Sequence, residues 1–196
     1  MSSTSVESLQ GKTGSSRIAN LGRLLLAAMC VSLVTVAAAP KALAAAPNGV
    51  YEFTSASGTV KFGDNTIDIP ESAVKRIAGV VNGDITIQNK TLQLNRNATK
   101  KIVKELGDEL DFDVKVTVTG PTSVTLSKDV DIYIGSTEEP IVTSFEGDFH
   151  GEDFSGELIT DVTAKVKGKT LRLIITFSGE TLGEEFSGKL VIVAKR

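Results

Sequence analysis

The sequence predicts an α+β fold that is mainly β: a curved antiparallel sheet or open β-barrel with two amphipathic helices packed on or in it. Apolar and polar residues alternate with a period of two through most of residues 108–196. This pattern is typical of antiparallel strands that have one dry face and one wet face. Near residues 70–79 and 95–107, apolar residues recur instead at helical spacing, which predicts the two helices.

One motif occurs twice in the C-terminal part, at residues 145–159 and 177–191. The two copies share phenylalanines and glycines in the same order: Phe145, Gly147, Phe154 and Gly156 correspond to Phe177, Gly179, Phe186 and Gly188. Acidic, glycine-bearing turns lie between apolar alternating segments, so each copy predicts a β-hairpin. The second strand of the first hairpin continues to Val166, a length at which strands normally twist and coil.

A second repeat occupies residues 58–79 and 83–104. Each copy begins with two short alternating segments and ends with apolar residues at helical spacing, which predicts a hairpin followed by a helix. Residues 63–65 and 88–90 contain Gly, Asn and Asp, which tolerate the left-handed backbone of tight turns. Pro70 suits the first turn of a helix because its missing N–H would have no partner there.

The first 44 residues have the three parts of a secretory signal. Residues 1–23 carry Lys12, Arg17 and Arg23, residues 24–36 are uncharged and apolar, and Ala42 and Ala44 precede a predicted cut after residue 44. The apolar run is shorter than the roughly 20 residues that span a bilayer, so no membrane span is expected after cleavage. The sequence therefore predicts a cleavable signal peptide at residues 1–44 and one mature domain at residues 45–196, which is periplasmic or extracellular.

The composition of the predicted mature domain limits its partners. Removal of residues 1–44 takes away four Lys/Arg and one Asp/Glu, which changes the formal charge from −3 to about −6. Since phosphate binding depends on clustered basic residues, we do not expect nucleic acid as a partner. The only cysteine, Cys30, lies in the leader, so the domain must be stabilised by packing rather than by disulfides.

The sequence contains no recognisable catalytic set. Its single histidine, His150, lies in a predicted turn without a matching nucleophile. The acidic residues of the hairpin turns lack the spacing of a calcium loop, and the phosphate-binding and zinc-protease motifs are absent from the sequence. We therefore expect a non-enzymatic protein with no metal and no cofactor.

Long alternating strands with two helices predict a hollow lined by apolar side chains. In outline this architecture resembles exported lipid-carrier half-barrels and calycin-like barrels, and the resemblance implies an apolar ligand held between sheet and helices. The first hypothesis is thus a carrier or sensor of an apolar small molecule such as a lipid. The candidate ligand-lining residues, for each of which an ordinary packed core is the alternative, are Phe112, Val114, Val116, Leu171, Leu173, Ile175 and Phe177.

The second hypothesis is an envelope structural module or a protein-interaction module. Duplicated hairpins offer duplicated surfaces, and their acidic ends are the candidate contacts with another exported protein. The acidic residues of these ends are Glu152, Asp153, Glu184 and Glu185.

Overall fold

The computed structural model describes residues 46–69, 84–94, 113–149, 152–181 and 184–196, which form a curled antiparallel half-barrel of twelve strands. The strands are β1 (Gly49–Phe62), β2 (Asn65–Ile69), β3 (Asp84–Gln88), β4 (Thr91–Gln93), β5 (Asp113–Thr119), β6 (Ser123–Thr125), β7 (Ser127–Asp129), β8 (Ile132–Ser136), β9 (Ile141–Phe149), β10 (Glu152–Lys167), β11 (Thr170–Thr181) and β12 (Glu184–Lys195).

The predicted antiparallel sheet is confirmed, but the α+β class is wrong for this part of the chain, which is all-β. No helix occurs within the five described ranges, and the two predicted helices, at residues 70–79 and 95–107, lie outside them. The physical reason is that the strands build the described core by themselves. Their apolar sides face a common interior because the sheet curls, and this interior holds the core side chains of the described residues.

Four long strands form the centre of the sheet in the order β10, β11, β12, β1. On both sides of these four strands, the neighbouring strands differ between one end of the long strands and the other, so the sheet has two halves. In what we call the open half, β9 and β5 continue the sheet from β10, and β2 pairs with β1. In the closed half, β8 pairs with residues 163–166 of β10, and β3, β4 and β6 follow β1. The same four strands therefore serve both halves.

The closed half curls until β6 touches β8. Gly135 of β8 lies against the main chain of Thr125, where a side chain would overlap the Thr125 carbonyl. The interior of this half is filled by aliphatic side chains, of which Leu171 and Leu173 of β11 are fully buried. In the open half, the described residues leave one side of β2 and one side of β5 without a strand partner.

The two ends of the described chain meet beside the closed half. The Tyr51 hydroxyl donates to the Pro47 carbonyl oxygen at 2.6 Å, and the Arg196 guanidinium donates to the Asn48 carbonyl oxygen at 2.5 Å. The same guanidinium lies 5.9 Å from the centre of the Tyr51 ring. Burial raises the pKa of the Tyr51 phenol, and the positive charge of Arg196 opposes part of that shift.

Tight turns use left-handed residues, as predicted for residues 63–65 and 88–90. Gly63 has a φ of 52°, and Asn89 and Lys90 have φ values of 52° and 61°, so both turn predictions are confirmed. The turn between β7 and β8 differs, because Val130 has a φ of 49° and is 81% exposed. A β-branched residue is strained in this region of backbone space.

Candidate functional site

The duplicated motif places phenylalanine opposite glycine on the inner face of the open half. In the hairpin of β9 and β10, Phe145 pairs with Gly156 and Gly147 pairs with Phe154. In the hairpin of β11 and β12, the same reciprocal arrangement joins Phe177 to Gly188 and Gly179 to Phe186. The repeat in the sequence is thus a repeat of cross-strand aromatic–glycine pairs.

These pairs lay the aromatic rings across the sheet. A β-carbon built at Gly188 would overlap the tip of the Phe177 ring, and one at Gly156 would overlap the Phe145 ring in the same way. The rings therefore occupy the space that the missing side chains leave, instead of standing away from the sheet. Aromatic rings consequently cover the inner face of the open half together with its glycine backbone. We call this area, formed by Phe145, Phe154, Phe177 and Phe186, the paved surface.

Apolar residues of this inner face reach the surface at its rim. Ile67 of edge strand β2 shares a face with buried Val60 and is 40% exposed. Val114 and Val116 of edge strand β5 and Phe154 near the end of β10 are half-buried against the core. Apolar side chains of the inner face therefore reach solvent at these edges, while the rings of Phe145, Phe177 and Phe186 behind them are buried.

The structure separates the predicted ligand-lining residues into two groups. Leu171 and Leu173 lie in the closed half, whereas Ile175 lies at the boundary between the halves, in a row that leads through Leu190 to β2, and Phe177 belongs to the paved surface. Val114 and Val116 lie on the β5 rim, while Phe112 falls outside the described residues. Of the candidates within the described residues, Val114, Val116 and Phe177 thus lie on the apolar face of the open half, and Ile175 lies at its boundary with the closed half.

Two buried threonines interrupt this apolar face, and the sequence analysis missed both. Thr160 of β10 has 0% exposure and Thr143 of β9 has 1%. Thr160 pairs with Ile141, two residues before Thr143, so the threonines are diagonal neighbours on adjacent strands. The Thr160 hydroxyl is buried and finds no hydrogen-bond partner in the described structure. Strand alternation places Thr160 on the inner face, but only the strand register brings it beside Thr143.

The opposite, outer face carries a shallow polar groove across β1, β12, β11 and β10. It consists of two adjoining cavities of about 580 Å³ and about 500 Å³. Both are lined by Lys61, Ser187, Ser178 and Ile159, which lie in one row across the four strands. Hydroxyl groups and charges surround Ile159, which is 38% exposed. This groove suits a polar, extended partner rather than an apolar molecule.

Three carboxylates form a second row at one end of the groove. Glu180 of β11 lies directly opposite Glu157 of β10 on one side and Glu185 of β12 on the other. Like charges in directly opposed positions destabilise a sheet. Within the described ranges, no group of three or more His, Cys, Asp or Glu side chains has the arrangement of a metal site.

Of the acidic residues predicted as protein contacts, Asp153 and Glu185 are exposed on the outer face near the hairpin ends. His150 lies outside the described residues. The part of the chain that the structure describes contains no helix long and apolar enough to cross a membrane. No family model, curated protein or solved structure matches this chain.

Proposed function

We propose that this protein is an exported, non-enzymatic carrier or sensor of an apolar small molecule, such as a lipid, held on the inner face of the open half. The observation that carries the proposal is the reciprocal pairing of phenylalanine with glycine in both hairpins. It produces a smooth aromatic surface on one layer of sheet, and flat apolar surfaces of this kind suit hydrocarbon ligands.

The rim of the open half supports the same proposal. A carrier must take its ligand from one apolar environment and release it to another, so its interior must be reachable from solvent. Ile67, Val114 and Val116 offer such a path, since they lie on the inner face of the two edge strands and are incompletely buried. In the closed half, by contrast, Leu171 and its neighbours fill the interior.

Binding of a neutral apolar fluorophore, such as N-phenylnaphthylamine, tests the proposal directly. Native mass spectrometry and lipid extraction of the purified protein show whether a natural ligand accompanies it. Ile67→Glu places a charge at the rim and is expected to weaken fluorophore binding about tenfold, because an apolar ligand would have to desolvate the carboxylate. Val130→Glu is the matched control, because Val130 is also exposed but lies on the β7–β8 turn. The carrier proposal fails if neither a ligand nor the fluorophore binds to the unmodified protein.

A second candidate function, a protein-interaction module, is favoured by the outer groove. The groove crosses four strands and combines hydroxyls with charged side chains, so it is suited to an extended polar chain. The row of Glu157, Glu180 and Glu185 makes one end acidic, which complements a basic segment of another exported protein.

Substitution of the central carboxylate tests this second candidate. Glu180→Lys would convert two like-charge pairs into opposite-charge pairs, so we expect the free energy of unfolding to rise by about 1 kcal/mol. The same change should weaken binding of an oligolysine peptide about tenfold. Glu139→Lys, in the exposed β8–β9 connection, is the control with the same change in net charge. Equal loss of oligolysine binding in both variants would show that net charge, rather than the groove, determines the interaction.

A further inference from the structure

The Thr160 hydroxyl is an exception on a face that is otherwise apolar. Its neighbours on the same side of β10 are Leu158 and Val162, and its cross-strand partners are Ile141 and Phe177. The hydroxyl oxygen is sealed from solvent and has no hydrogen-bond partner among the described groups. Buried hydroxyls in folded proteins are normally hydrogen-bonded, so this one calls for an explanation.

Strand formation does not explain a threonine at this position. Valine has nearly the same shape and is also favoured in strands, and β10 uses Val162 and Val166 on the same face. A valine at residue 160 would pack equally well and would leave no hydroxyl without a partner. The hydroxyl therefore lowers the stability of the ligand-free protein and supplies nothing that the sheet requires.

The position of Thr160 connects the hydroxyl to the proposed carrier surface. Thr160 lies directly opposite Phe177, whose ring extends over Gly188, and Thr143 is its diagonal neighbour on β9. Two side chains with hydroxyl groups thus adjoin the paved surface. They lie where the strand paired with β10 changes from β9 to β8. A ligand lying on the rings would have one end beside these threonines.

We infer that Thr160, with Thr143 beside it, binds the polar end of the ligand, and that the ligand is a neutral amphiphile: an apolar body that carries one hydroxyl or carbonyl group. This inference rests on the proposed carrier function. We expect the polar end of the ligand to be uncharged, because the described residues bury no charged side chain that could neutralise an ionised ligand group. The hydroxyl that lacks a partner in the ligand-free protein gains one on binding, and this gain selects amphiphiles over plain hydrocarbons.

Displacement of N-phenylnaphthylamine by decanol and by undecane tests this selection, since the two probes have the same number of heavy atoms. Because undecane is expelled from water more strongly than decanol, the measured quantity is the ratio of the two affinities: the decanol-to-undecane affinity ratio should be about five- to tenfold higher in the unmodified protein than in Thr160→Val, which corresponds to one buried hydrogen bond. Thr160→Val should weaken decanol binding by about this factor and affect undecane much less, because undecane cannot form a hydrogen bond with residue 160. Thr160→Ser keeps the hydroxyl and should keep the preference.

The possible outcomes separate the two proposals. If both probes bind equally well to the unmodified protein and to Thr160→Val, the assignment of Thr160 is wrong while the carrier function stands. An equal loss of decanol preference in Thr160→Ser and Thr160→Val would also overturn it, because the hydroxyl that serine keeps would then not be what produces the preference. If the fluorophore and both probes fail to bind, the carrier proposal itself fails.

Discussion

Replacement of Thr160 by valine should make the ligand-free protein more stable. A buried hydroxyl without a hydrogen bond costs about 1–3 kcal/mol, and the Thr160 hydroxyl finds no partner among the described groups. Valine keeps the shape of the side chain and exchanges the hydroxyl for a methyl group. We therefore expect the free energy of unfolding to rise by about 1–2 kcal/mol, or Tm by roughly 3–6 °C for a domain of this size.

Urea denaturation followed by far-ultraviolet circular dichroism measures this change, on protein from which bound lipid has been removed. Thr163→Val on the same strand is the control. The Thr163 hydroxyl lies 2.9 Å from the Ser136 hydroxyl on the outer face, so the loss of this hydrogen bond should lower stability by up to about 1 kcal/mol. A loss of stability in Thr160→Val would refute the reasoning, since it would mean that the Thr160 hydroxyl has a partner.

Three further predictions concern other parts of the sheet. Burial raises the pKa of Tyr51, so its stabilising contribution is complete below about pH 10 and is lost as the pH rises through the higher folded pKa. Tyr51→Phe should lower the free energy of unfolding by about 1 kcal/mol at neutral pH and reduce its alkaline decline in urea titrations, and an unchanged decline would contradict this assignment. Val130→Asn should raise stability by about 1 kcal/mol in thermal denaturation, because asparagine tolerates a φ of 49° better than valine does; unchanged stability would mean that this turn is not strained. Gly188→Ala should cost about 3 kcal/mol or more, since the new methyl group would overlap Phe177 and approach a main-chain oxygen of β1 at 2.5 Å, whereas Gly168→Ala, with open space around it, should cost only about 1 kcal/mol. Equal costs for the two glycine variants would show that the aromatic–glycine pairs are not tightly packed.

The strands of the C-terminal part could be predicted because their information is local. Along β10 and β11, one apolar residue at every second position determines which side faces the core, and Gly168 marks the turn between them. The same alternation identified Phe177 as an inward-facing residue. Helical spacing in the N-terminal part favoured an α+β class, yet the described core is made by strands alone.

The candidate site depended on pairing between strands, which alternation does not determine. The motif at Phe145 and its copy at Phe177 were visible as a repeat, but their role as partners of Gly156 and Gly188 follows only from the register. The strand register also separates Leu173 from Phe177: the sequence grouped the two residues as ligand-lining candidates, but they lie in different halves of the sheet.

The sequence by itself determined the long alternating strands of the C-terminal part, the turns at residues 63–65 and 88–90 and which side of these strands is apolar, because these properties depend on neighbours within a few positions. Only the tertiary structure decided that Thr160 is enclosed without a partner, and that Glu157, Glu180 and Glu185 stand in one row. Both features arise when a sheet curls and fixes its register, which brings together residues that are far apart in the chain.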